Sequence, residues 1–94
     1  MTDGSDAILA DCVRLVAAAW VASWRETLRR DGRAMEGGWP GTLGEARALV
    51  LQRLLPELSK RGLSTPSPEG LARASHETYA AARRAWLAAA TPEE

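Results

Sequence analysis

Apolar side chains recur at three- and four-residue steps along most of this chain, the period of an α-helix, and no run of alternating β-branched residues argues for a strand. The pattern predicts an all-α domain of three helices in an up-down-up bundle. Helix 1 is expected over about 6–30, with Ser5 or Asp6 as N-cap, Arg29 and Arg30 against the negative end of the helix dipole, and Gly32 as the stop. Helix 2 is expected over about 43–61, opened by Thr42 and Glu45 as a capping box and closed by Gly62 in a left-handed conformation. Pro56 cannot donate to the carbonyl of Gln52, so a kink is expected in this helix. Helix 3 is expected over about 68–90, with Pro68 at the first helical position and Glu69 beside the positive dipole end.

At 100° per residue, Leu43, Val50, Leu51, Leu54 and Leu58 share one side of helix 2 and read as its core stripe. Helix 3 collects Leu71, Ala74, Thr78, Tyr79, Ala82, Ala85, Trp86 and Ala89 on one face, mostly small residues that allow a close neighbour. Helix 1 carries more apolar surface than two neighbours require. Beside the stripe of Ile8, Leu9, Cys12, Val13, Val16, Ala19 and Trp20, a second seam runs through Ala10, Ala17, Val21, Trp24 and Leu28, interrupted by Arg14. Two explanations stay open. A second copy of the chain packs on this seam, or the loop after helix 1 folds Met35 and Trp39 over Trp24.

That loop, 31–41, is the most sharply specified segment, with Gly37, Gly38 and Gly41 permitting turns around Trp39 and Pro40. Trp39 is either an exposed anchor for a partner or a lid on the chain's own core. The interface candidates are therefore Ala10, Ala17, Val21, Trp24, Leu28 and Trp39.

Composition narrows the function classes. The 94 residues carry 12 basic and 12 acidic side chains, so no net charge attracts nucleic acid or an anionic membrane, and such binding would need a local patch. The single cysteine, Cys12, cannot form an internal disulfide and sits at helical spacing from Ile8 and Leu15, as a small core hydrophobe would. The weakly polar run at 15–24 is short of the roughly 20 residues a membrane span needs, and the acidic N-terminus lacks the features of a secretory signal. A cytoplasmic protein, of a composition expected from a GC-rich bacterial genome, follows from these features.

No pattern of catalytic chemistry emerges. His76 is the only histidine, lacks a recognisably spaced Ser, Cys or carboxylate partner, and stands next to a Glu77 that points about 100° away. No metal or cofactor is expected. The glycines around Trp39 lack the lysine and preceding strand of a phosphate-binding loop. A helix-turn-helix reading would use helix 2, the Gly62-Leu63-Ser64-Thr65 connection and helix 3, with Arg73, His76, Arg83 and Arg84 toward DNA. Against it stand the length of the connection and the pairing of Glu69 with Arg73 and of Arg73 with Glu77 expected on a solvated face. The expectation is a non-catalytic, homodimeric interaction or assembly module, with a DNA-binding regulator or an accessory subunit of a larger enzyme as alternatives.

Overall fold

The computed structural model describes residues 4–32 and 38–90. Helix α1 (Gly4–Arg30) is followed by α2 (Leu43–Leu49), a π-helical turn (Val50–Leu54), α3 (Leu55–Lys60) and α4 (Pro68–Ala90), with no strand among the described residues. The stretch 43–60 forms one middle arm, so three helical arms pack together. At 27 residues, α1 is about 40 Å long.

The ends of the elements follow from local chemistry. Thr42 Oγ1 accepts from the Glu45 N–H at 3.1 Å while Glu45 Oε1 accepts from the Thr42 N–H at 3.0 Å, completing the capping box. The middle arm ends in a Schellman arrangement: the Leu63 N–H donates to the Leu58 carbonyl at 2.9 Å and the Gly62 N–H to that of Ser59 at 3.0 Å. Gly62 takes φ +83°, and Gly32 after α1 takes φ +70°, conformations that a Cβ would strain. Ser67 opens α4 by accepting from the Gly70 N–H at 3.1 Å. Helix α1 starts earlier than its composition suggests, so Ser5 and Asp6 lie inside the first turn instead of capping it.

Ahead of Pro56 the winding changes. The Leu55 N–H donates to the Val50 carbonyl, a five-residue step, where an α-helix would have made a four-residue one. This wider turn has a packing consequence. In a continuous α-helix, residues four apart drift by about 40° per step, roughly 120° over three steps. With a π turn inserted, Ala46, Val50, Leu54 and Leu58 all stay on the buried side. Leu43 and Leu51, expected in that core stripe, are instead 41% and 49% exposed, because the stripe follows four-residue steps from Ala46.

The core forms two adjoining clusters. One joins Cys12, Val13 and Val16 of α1 to Val50, Leu54, Leu58 and Ala74. The other joins Ala17, Trp20, Val21 and Leu28 of α1 to Ala46, Ala82 and Trp86. Cys12 is fully enclosed and free, and burial pushes its thiol pKa up, so it stays neutral like the hydrophobes around it. On α4 the buried line is Ala74, Ser75, Thr78, Ala82 and Trp86; Ala85, expected on that face, is exposed. Ser75 satisfies its hydroxyl by donating to the Leu71 carbonyl at 2.9 Å.

Candidate interaction surface

The second apolar seam of α1 is largely consumed inside the chain. Ala17, Val21 and Leu28 are buried against Ala46, Ala82 and Trp86, and Trp24 is half-buried at the margin of the same cluster. Of the residues assigned to a dimer seam, only Ala10 is exposed. Small residues on the contact face of α4 let it sit close enough to cover Ala17, Val21 and Leu28. The outer face of α1 carries Leu15, 53% exposed, with Ala18, Ala19 and Ala22 also exposed. Four of its charged residues are paired with one another: Arg14 with Asp11, and Arg29 with both carboxylate oxygens of Glu26 at 2.7 Å.

Trp39 closes the bundle from outside. Its ring meets Trp20 edge-on with centroids 4.9 Å apart and Trp86 at 5.4 Å, while Tyr79 approaches Trp20 at 6.4 Å. Trp39 is half-buried in this corner, and its ring partners are Trp20 and Trp86, where Trp24 was expected. The contribution of Met35 lies outside the described residues. Gly41 is required here by space, with no unusual φ: a Cβ would lie 2.5 Å from Trp39 Cζ2 and 2.6 Å from Trp20 Cζ2. Trp39 Nε1 and Trp86 Nε1 in this corner, together with Thr78 Oγ1 and Arg25 Nε, have no hydrogen-bond partner among the described residues. Thr78 and Trp86 are fully buried, so each unmade bond costs on the order of 1–3 kcal/mol.

A different surface is open. Between α2 and α4 runs a groove of about 480 Å³ with Val50, Leu71 and Ala72 along its walls. Leu43 and Leu51 stand at its mouth, half in water, with Arg47 between them on the same arm and His76 across from them on α4. No carboxylate belongs to the lining, and Arg47 makes no ion pair among the described residues. The nearby Glu45 is engaged with the Thr42 backbone. Gly44 lines the same groove, and the nearest atom to a Cβ placed there is Thr42 Oγ1 at 3.8 Å, an ordinary contact. Glycine inside a helix costs up to about 1 kcal/mol relative to alanine, and neither φ nor crowding within the chain calls for it at this position. The sequence reading missed this groove because it placed Leu43 and Leu51 in the core; the register shift at the π turn carried no recognisable signal besides Pro56.

The residues considered for DNA contact, Arg73, His76, Arg83 and Arg84, are all exposed and fall within an arc of roughly 100° on α4. Contrary to expectation, Glu69, Arg73 and Glu77 form no ion pairs with one another among the described residues. The connection from α3 to α4 spans 61–67, longer than the three or four residues of a helix-turn-helix. Among the described residues no group of three or more His, Cys, Asp or Glu comes together as a metal site would require. By length and composition, Ala7–Arg30 is apolar enough to cross a membrane once the window extends past the run at 15–24; in this bundle the same stretch supplies Cys12, Val13 and Val16 to one core cluster and Ala17, Trp20, Val21 and Leu28 to the other. Compared with protein-family models, with curated proteins and with solved structures, the chain matches none.

Proposed function

We propose that this chain is a small non-catalytic protein–protein interaction module that works as a homodimer, with its middle arm kinked ahead of Pro56. The observation that carries the reading is the α2/α4 groove, where two leucines remain half exposed at the mouth of an apolar cleft. Large apolar groups flanking a concave apolar surface are the usual anatomy of a recognition site. Self-association uses the outer face of α1, where Leu15, Ala18 and Ala22 present apolar surface between ion pairs that need no external partner. An accessory-subunit role would use the same surfaces with a different chain.

Light scattering over a dilution series tests the dimer, with Leu15→Glu as the discriminating variant. Val21 is unsuitable because it is a core residue, and a charge there would unfold the bundle. The wild type should have twice the monomer mass and Leu15→Glu the monomer mass with helix content intact; a wild type that is monomeric at every concentration removes self-association from the proposal.

The second reading, DNA binding through α4, is favoured by Arg73, Arg83 and Arg84, which make no ion pair among the described residues and share one exposed arc with His76. Phosphate contacts would make binding fall steeply with salt, and Arg83→Ala with Arg84→Ala would flatten that dependence. Absence of binding to duplex DNA at low salt would dispose of it.

A further inference from the structure

Resting on the interaction-module reading, we infer that the α2/α4 groove receives an amphipathic helix with acidic flanks from another protein. Leu43 and Leu51 lie eight residues apart, which spaces them by about 12 Å, roughly two turns of an incoming helix. A helix docked in a groove presents apolar anchors at i, i+3, i+4 and i+7, and its apolar stripe would seat on Leu71 and Ala72 between the two leucines. The small residue Gly44 lines the groove, and among the described residues only Thr42 Oγ1, at 3.8 Å, comes near the space its missing Cβ leaves. A partner's closely approaching side chain or backbone gives that glycine a use.

The sign of the partner's charge follows from the rim. Arg47 is a fixed cation with no ion pair among the described residues, His76 adds a second nitrogen donor across the groove, and no lining residue is acidic. A guanidinium at an apolar rim favours a carboxylate because the hydrogen bond is charge-assisted and partly shielded from water. A second copy is a poorer occupant. The exposed apolar face of its α1 is bordered by Asp11 and Glu26, and both are already engaged with Arg14 and Arg29.

The test is selection of a displayed library of short amphipathic helical peptides, with leucine at the anchor positions and Glu, Lys or Gln varied on the flanks. The full chain is the target, and the Leu43→Glu/Leu51→Glu double variant, verified as helical by circular dichroism, is the counter-target. Acid-flanked peptides should be enriched on the wild type alone. Arg47→Glu should weaken the selected peptides roughly tenfold and favour their lysine-flanked counterparts, since charge reversal at a rim inverts complementarity. Groove-dependent enrichment of peptides with basic or uncharged flanks overturns the acidic partner while leaving the module standing. Enrichment that ignores the two leucines, or none at all, overturns both the occupant and the groove as a recognition site.

Discussion

Gly41 and Gly44 stand three residues apart at the start of the middle arm, and their surroundings could hardly differ more. Gly41 is enclosed by the rings of Trp20 and Trp39, so the chain's own packing demands it. Gly44 faces an open groove and costs helix stability with no internal return. The tryptophan corner is a closed surface, in which α1, α4 and the residues before α2 satisfy one another's apolar area. The groove is an unfinished one. A feature that a chain retains against its own stability points outward, to whatever completes it.

Substitutions in the two regions should separate them sharply. The largest effect is expected from Trp86→Ala, which deletes a fully buried ring shared by α4 and Trp39 and should cost about 3–5 kcal/mol in urea unfolding. A loss below about 1 kcal/mol would mean the corner is not part of the core. Gly41→Ala should follow at about 1–3 kcal/mol, because the new methyl cannot be placed without moving two packed indole rings. Near-wild-type stability in that variant would show the Trp39 lid to be loosely held.

Thr78→Val should go the other way. It replaces a fully buried hydroxyl that has no hydrogen-bond partner with a methyl of the same shape, for a gain of about 1 kcal/mol. Destabilisation would mean that the hydroxyl is satisfied in solution. Gly44→Ala should produce the smallest change in the free protein, a gain of about 0.5–1 kcal/mol read as a shift in unfolding midpoint, while reducing affinity for a groove-bound helix. If it stabilises the chain and leaves peptide binding untouched, the groove does not use the space beside Gly44, and the contrast between the two glycines loses its functional meaning.

Features that depend on short stretches of backbone were legible in advance. Thr42 and Glu45 make a capping box, Gly62 a left-handed terminus and Pro68 the first turn of α4, because each involves donors and acceptors within a few residues. Cys12 behaves as a core hydrophobe for the same reason its spacing suggested. Facing was less legible. A helical wheel assumes one rotation per residue, and the π turn before Pro56 breaks that assumption: it keeps Leu54 and Leu58 in line with Ala46 and Val50, and Leu43 and Leu51 fall outside that line, at the mouth of the groove. The excess apolar area of α1 was real, but spacing could not say what would cover it.

By itself, then, the sequence determined the helices, their ends apart from the start of α1, and the presence of a surplus of apolar surface, since propensity, capping and periodicity are properties of neighbouring residues. Tertiary structure alone decided where that surplus went. Ala17, Val21 and Leu28 are covered because α4 approaches closely and Trp39 folds back onto Trp20 and Trp86, contacts between residues tens of positions apart. Leu43 and Leu51 are left in water because the buried line of the middle arm runs through Ala46, Val50, Leu54 and Leu58, held on one side by the π turn. Burial depends on how whole elements are set against one another, and that geometry is fixed only when all three arms are in place.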